Sequence, residues 1–453
     1  MKVLVTGGAG FLGSHIVSQL LALSNGESRA TTDLGALEKC SVRVIDIHKE
    51  LLVNDDPVIQ KYLDQVEIVT GSITDKEIVS KAVEGCEAVI HCAGVVDFER
   101  TDEDVMFGVN VTGTENLLEA CKVHNVRNFI YTSTSEVVLG KDGVDGLNEE
   151  KTSLVVDSDP EFVSPFIQSK SEAEKLTIKS NGSTTSGGRE LLTCVIRPVG
   201  LYGPGDEFHL KETIRIARDL GKSNMFRFGN GKAVCQMAYV GNVAYLHLCA
   251  LQRLYEYDEK VAGQAFFGID NTKVRNYFDF MRTFEAHMKY KIPTVSIPKS
   301  LLFAFSAGND AYKKVIGAIF PTAKDSSQMS QSVHSLVVPN WFKTEKSKLL
   351  LDYKPIYPPL EARELSKAFL DSLTLEGFEK GEFDYGGKYE YPDDDFDVYY
   401  PDEYVDAHYE EISKEEFENL ISNKFYYDDF TETYYSNEDY DRNLDFEGLD
   451  ISM

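Results

Sequence analysis

Val3 to Thr6 are apolar or β-branched and run straight into a glycine cluster. Beyond it, Ile16, Val17, Leu20 and Leu21 recur at helical spacing through Ser14–Leu23. This pattern predicts strand, tight turn, helix. The alternation continues down the chain. Runs at Val42–Asp46, Val66–Thr70, Ala88–His91, Phe129–Ser133 and Cys194–Arg197 predict five more strands, and a helix is predicted over about 102–125. Strands alternating with helices predict an α/β fold of the Rossmann type, a doubly wound parallel sheet. Its ligand belongs at the carboxyl ends of the strands, at the topological switch point. The regular alternation stops near Gly200. Residues 1–200 therefore read as a dinucleotide-binding domain, 201–375 as a smaller C-terminal substrate lobe, and 376–453 as a tail.

Gly7, Gly10 and Gly13 stand at three-residue spacing where the first strand meets the first helix. The first can take a left-handed turn, the second lets a phosphate approach the backbone, and the third lets helix and strand pack closely. A helix N-terminus there offers free N–H groups to a pyrophosphate. Asp46 ends the second strand. An acid at that place bonds a ribose 2′-OH and repels a 2′-phosphate, which favours NAD over NADP. The gap between glycines and acid exceeds the usual spacing of about 20 residues. Ser24–Lys39 reads as an inserted loop that accounts for the excess. Ala93 and Gly94, after the fourth strand, are small enough for a ligand to pass.

Charge changes the picture mainly at one end. The chain of 453 residues carries a net −28. Residues 376–453 hold 26 acidic and 5 basic residues, a net −21, which leaves −7 for the rest. The balance excludes nucleic acid as a partner. Seven scattered cysteines without a C-x-x-C pair point to a reducing compartment and to neither a disulfide framework nor a zinc site. No metal is expected. A strand beginning at residue 2 predicts no signal peptide, and no apolar run reaches membrane-spanning length. The expected location is cytoplasmic. Ser300–Phe320 is amphipathic at most and supports no more than weak peripheral contact with a membrane such as the endoplasmic reticulum. Asn110-Val-Thr fits a glycosylation acceptor and is read as chance.

Several motifs, in order, resemble the extended short-chain dehydrogenase/reductase superfamily. They are Thr6-Gly-Gly-Ala-Gly-Phe-Leu-Gly13, His91-Cys-Ala-Gly94, Asn110-Val-Thr-Gly-Thr, Tyr131-Thr-Ser-Thr134, Ser169-Lys170-x-x-Ala173-Glu174 and Arg197-Pro-Val-Gly-Leu-Tyr202-Gly-Pro-Gly205. Phe129–Val137, Tyr239–His247 and Gly263–Asp270 resemble the 3β-hydroxysteroid dehydrogenase/isomerase branch, over roughly residues 1–370. The resemblance implies an NAD-dependent oxidoreductase acting on the CH–OH or ketone group of a steroid-like substrate. It places Thr134 at the hydroxyl that holds the substrate oxygen and Lys170 at the lysine that binds the nicotinamide ribose. It assigns cofactor contacts to Gly7, Gly10, Phe11, Leu12, Gly13, Asp46, Ser72, Ile73, Ala93, Gly94, Asn110, Lys170 and Pro198. Asn110 orders the active-site helix in this family, and members often form homodimers.

The sequence departs from the family at three places. The tyrosine expected four residues before Lys170 is Phe166, which has no proton to give. Tyr202 or a water is the expected substitute. Ser72 stands where the family often has Asp, and Gly241 precedes Asn242 where Asp is usual, which puts packing against the substrate lobe in question. His91 reads as a packed, hydrogen-bonded core residue and Cys92 as a small packing residue. Phe208, Met225, Phe226, Phe228, Phe266 and Phe267 are apolar candidates for pocket walls.

By charge the tail predicts disorder, with its aromatics and a helix expected over Ser413–Ile421 suited to docking a partner. Two rival readings stand beside the dehydrogenase. One is a catalytically silent NAD-binding scaffold whose tail recruits partners, which Phe166 favours. The other is a sugar-nucleotide epimerase or reductase, which a polar diphosphate pocket would favour.

Overall fold

A computed structural model describes residues 1–48, 56–95, 102–160, 163–211, 213–214, 227–228, 232–256, 259–288, 296–297, 338–379, 425–428 and 433–436. Residues 1–386 form one compact unit and 387–453 a second. The first is built on seven parallel strands, β1 (Lys2–Thr6), β2 (Ser41–Asp46), β3 (Val66–Thr70), β4 (Ala88–His91), β5 (Asn128–Thr132), β6 (Glu190–Pro198) and β7 (Ala265–Gly268). Their order is β7-β6-β5-β4-β1-β2-β3. The two-residue strand Ser183–Thr184 joins the start of β6 antiparallel. The switch point lies between β1 and β4, where Thr6 stands beside His91. The connecting helices are α1 (Phe11–Ser24), α2 (Pro57–Tyr62), α3 (Lys76–Val83), α4 (Glu103–Phe107), α5 (Gly113–Val123), α6 (Val155–Ser158), α7 (Pro165–Lys179) and α8 (Val240–Tyr255).

The strands are apolar on both faces because helices cover both. Val3, Val5, Val44, Ile90, Ile130 and Ile196 pack under α1 and α8. Leu4, Ile45, Val89, Phe129 and Val195 pack under α3, α5 and α7. Three features differ from the sequence reading. β6 is a nine-residue strand, longer than the expected Cys194–Arg197. The helix expected over 102–125 is split by a π turn at Gly108–Thr112. The chain also returns to the sheet after residue 200, through β7 and through α8, which packs on α1. Phe266 and Phe267 therefore lie in β7, fully buried, with Phe267 stacked on Phe342 at 4.0 Å. They are sheet core rather than pocket walls. Phe208 is exposed.

The inserted loop is tied down rather than loose. The N–H groups of Thr31 and Thr32 donate to the Tyr245 hydroxyl, and the Thr32 hydroxyl donates to the Asp352 carbonyl. Arg29 pairs with Glu361 and lies over the Tyr357 ring.

The Gly241-Asn242 departure has a structural answer. A Cβ at 241 would come within 2.7 Å of the Tyr239 ring and 2.8 Å of the Tyr357 ring, so no aspartate fits. The carboxylate comes instead from Asp270, which accepts from the N–H of Tyr239, the Asn242 side chain and the N–H of Thr272. Asn242 in turn exchanges two hydrogen bonds with the Tyr357 backbone. Asp270→Ala strands three donors at a buried junction. It should destabilise the protein by about 2–4 kcal/mol. Denaturant unfolding that matches wild type would refute this account.

Thr213 and Ile214 are described and helical. Met225, Phe226, the segment 300–320 and the helix expected at 413–421 lie outside the described residues. No helix among the described residues is long and apolar enough to cross a membrane. In the second unit, Phe425–Asp428 and Thr433–Ser436 pair as an antiparallel hairpin.

Candidate active site

The glycine cluster forms a cradle at the carboxyl end of β1. Gly7 takes φ +68°, and a Cβ on it would lie 2.7 Å from the Ala93 nitrogen. Gly10 precedes α1 in extended backbone, and no side chain caps the helix. The first helical bond runs from Ser14 N–H to the Gly10 carbonyl, so the amides of Phe11, Leu12 and Gly13 precede it. Gly13 lies against Gly7 and Gly8, which brings α1 hard onto the strand end. Asp46 reaches the same loop, where one carboxylate oxygen accepts from the Ala9 N–H at 2.9 Å and the other from His48 N–H. A 2′-phosphate on this side would meet that carboxylate.

Next to the cradle runs a buried relay. Ala93 N–H donates to Thr6 Oγ1 at 3.1 Å, and Thr6 Oγ1 lies 2.7 Å from His91 Nδ1. His91 Nε2 lies 2.9 Å from Thr114 Oγ1, whose hydroxyl donates to the Asn110 carbonyl. Since Thr114 spends its proton on that carbonyl, it accepts from Nε2–H. His91 is thus neutral with its proton on Nε2, and Thr6 donates to Nδ1. Burial, with the Lys170 charge nearby, pushes its pKa down to about 3. His91 is a locked core group and no acid or base near neutrality.

A second chain closes the other side. Cys92 Sγ lies 3.2 Å from Thr132 Oγ1, which lies 3.0 Å from His247 Nε2. His247 Nδ1 lies 2.7 Å from the Val243 carbonyl and donates to it. Burial raises the Cys92 thiol to about 12, which keeps it inert.

Lys170 sits on α7, one turn after Phe166. Its ammonium donates to the Thr132 carbonyl at 2.7 Å and lies over the Tyr131 ring. Burial lowers its pKa to about 8. Gly94 faces it, with a Cβ position 3.7 Å from Nζ. Asn110, in the π turn, exchanges two bonds with the Val95 backbone and donates to Ser169 Oγ at 3.0 Å. The wide turn aims this one side chain at both the β4 loop and α7. Thr134 Oγ1 accepts from Glu136 N–H, leaving its own O–H to donate.

Phe166 is buried among Met106, Val155 and Ile167 and offers no proton. Tyr202 does not replace it. Its hydroxyl bonds Thr272 at 3.0 Å, its ring packs on Phe280, and burial drives its pKa far up. The reading of Tyr202 as a proton carrier is corrected: it belongs to an apolar cluster with Tyr239, Phe280 and Phe284. Ser72 Oγ shares a hydrogen bond with Thr74 and caps the turn before α3. Ile73 is buried beneath Gly113. Pro198 ends β6 and is buried.

Sequence reasoning missed Thr114, Thr132, His247 and the Glu174–Arg197 pair. All of them stand in the sequence only as letters of quoted motifs. Nothing in the spacing announces that they meet.

The residues fit a dinucleotide. The uncapped α1 amides would hold its pyrophosphate, Asp46 its adenosine ribose, and Lys170 its nicotinamide ribose. Bound there, NAD would accept or supply a hydride.

Residues 4–299 match the 3-beta hydroxysteroid dehydrogenase/isomerase family. The chain is 32% identical over 374 residues to the Arabidopsis thaliana 3beta-hydroxysteroid-dehydrogenase/decarboxylase isoform 1, covering 82% of this chain and 79% of that protein. It is 36% identical over 291 residues to the Homo sapiens 3 beta-hydroxysteroid dehydrogenase type 7, covering 62% and 71%. The fold is similar to that of the UDP-glucuronic acid 4-epimerase from Bacillus cereus in complex with NAD, with TM-score 0.57, 18% identity, and coverage of 82% and 97%. With most of its first unit matched in sequence and the nucleotide cradle formed at the switch point, this chain belongs to the 3-beta hydroxysteroid dehydrogenase/isomerase family and is an NAD-dependent oxidoreductase of the extended short-chain type.

Proposed function

We propose that the protein interconverts a secondary alcohol and a ketone on a sterol-like substrate, with NAD as hydride carrier. The observation that carries this reading is the buried Lys170 ammonium, held against the end of β5 beside Thr134 and facing Gly94. A charge this buried is kept only where it has work or partners. The steroid as substrate class rests on the activities that the two relatives' names print. Thr134 donates its free O–H to the substrate oxygen. Asn110 and Ser169 hold α7 in register with the β4 loop, which fixes the lysine. The seven cysteines are all unpaired, which supports a reducing, cytoplasmic location. A homodimer, peripheral membrane contact and a protein partner for the acidic tail belong to the same proposal.

Lys170→Ala should lower NAD⁺ reduction with sterol alcohols by about a hundredfold or more. Unchanged turnover would sink the role given to Lys170. A second reading, an NAD-binding protein without turnover, is favoured by the buried Phe166 ring. It would be carried by wild type that binds NADH in a calorimeter and reduces no NAD⁺ with any sterol offered.

A further inference from the structure

The Lys170 ammonium is held by a backbone oxygen, the Thr132 carbonyl at 2.7 Å. A carbonyl aims a charge only as well as its own peptide is held. The N–H of that peptide, from Ser133, donates to the Ile196 carbonyl of β6 at 2.7 Å. The peptide is trans, so the Thr132 carbonyl points away from β6. Thr132 is the last residue of β5, and its side chain supplies the second hold. The hydroxyl has two partners, Cys92 Sγ at 3.2 Å and His247 Nε2 at 3.0 Å.

The proton positions follow from the far end of this chain. His247 Nδ1 lies 2.7 Å from the Val243 carbonyl, which only accepts, so Nδ1 carries the hydrogen. Burial pushes the His247 pKa down to about 4, so the ring is neutral and Nε2 is an acceptor. Thr132 therefore donates to Nε2 and accepts from the Cys92 thiol. Each bond has one direction. His247 itself is fully buried on α8, which packs on β5. The first turn of α8 is anchored by Asn242, bonded to Asp270 and to the Tyr357 backbone. The ring is thus a fixed post planted in the half of the chain that follows residue 200. The other buried imidazole of the site makes no such link. His91 bonds Thr6 and Thr114, and neither threonine holds the ammonium.

We propose that His247 is a positioning residue for Lys170: through the Thr132 hydroxyl it fixes the peptide whose carbonyl holds the ammonium. The inference rests on the placement of Lys170 at the nicotinamide ribose. The part played by His247 is geometric. No proton moves along the chain, since the Val243 carbonyl at its end takes none. Loss of the link frees the Thr132 side chain and lets the carbonyl, and the ammonium with it, swing away from the ribose.

Two substitutions separate the ring nitrogens. In His247→Asn the amide stands near the Nδ1 position, keeps a donor for Val243 and no longer reaches Thr132. In His247→Gln the longer amide brings an oxygen to the Nε2 position, where Thr132 donates to it, and the Val243 bond goes. Calorimetric titration of the full chain with NADH reads both, and NAD⁺ reduction with 3β-hydroxysterols gives kcat alongside. His247→Asn should weaken NADH about tenfold and lower kcat by a similar factor, and His247→Gln should lose less of each. A ring needed only for packing in α8 predicts equal losses in the two variants, and that result would overturn the proposal. In the Lys170→Ala background His247→Asn should cost no further NADH affinity, and a second tenfold loss there would overturn it too. Where a His247 variant fails to fold, Thr132→Val cuts the same link from the other end. It should weaken NADH in the wild-type background and not in Lys170→Ala, and Thr132→Ser, which keeps the hydroxyl, should lose less. If Lys170→Ala itself binds NADH as tightly as wild type, the placement at the ribose fails and the proposal falls with it. Wild type that binds NADH and is silent on every sterol sinks the substrate reading alone, since the NADH cycle is read without turnover.

Discussion

Gly13→Ala should cost the protein at least a hundredfold in NADH affinity, or about 3 kcal/mol. The added Cβ would lie 2.8 Å from the Gly7 carbonyl carbon and 3.0 Å from Gly8 Cα, and closer still to the Gly7 oxygen. These are backbone atoms and cannot rotate aside. Nor can Gly7 retreat, because its own Cα already faces Ala93 across β4 and its φ of +68° is fixed by the turn. The clash can be relieved only by tilting the start of α1 away from β1. That movement takes the Phe11 and Leu12 amides out of the cradle. Overpacking of this kind costs about 1–3 kcal/mol in stability as well. Gly108→Ala is the control, since a Cβ there meets nothing within 4 Å. Calorimetric titration with NADH reads the effect. An affinity for Gly13→Ala within twofold of wild type would show that the close approach is not required.

Glu174→Ala should destabilise the fold by about 3–5 kcal/mol, a large share of the margin of a single domain. Glu174 is fully buried and Arg197 nearly so. The guanidinium donates to both carboxylate oxygens through Nε at 3.2 Å, and the Ser133 hydroxyl donates to Oε2 at 2.7 Å. This triad joins α7, the end of β5 and β6. Removing the carboxylate leaves a buried cation and a buried hydroxyl without their acceptor. The loss is therefore set by desolvation rather than by the net worth of the pair. Arg197→Met in the same chain should recover part of it, because the uncompensated charge goes too. Glu174 also stands one turn after Lys170, so activity should fall along with stability. Denaturant midpoints for the two single variants and the double decide the point. Additive losses would mean that the two side chains act independently.

Much of this protein was legible in its sequence. The strand-to-helix turns, the parallel sheet and the glycine cradle follow from local chemistry, namely apolar periodicity and the few residues that allow φ above zero. Asp46 was readable because it ends a β-branched run, and Lys170 because the motif Ser169-Lys170-x-x-Ala173-Glu174 carries the family resemblance. Tyr202 was misjudged for the opposite reason. A tyrosine in a loop motif looks available until Phe280 and Thr272, some 70 residues on, close over it. Asp270 replaces the carboxylate missing beside Asn242 from 28 residues away. Glu174 meets Arg197 only because α7 lies across β6. Phe166 was read from the sequence as a missing proton, and its burial among Met106, Val155 and Ile167 was set by the fold. The sequence by itself determined the alternation of strands and helices and the glycine turn between β1 and α1, since both rest on local periodicity and on residues close together in the chain. Which polar groups are locked and which stay poised to titrate was decided by tertiary structure alone, because burial and pairing depend on what the rest of the chain brings against them.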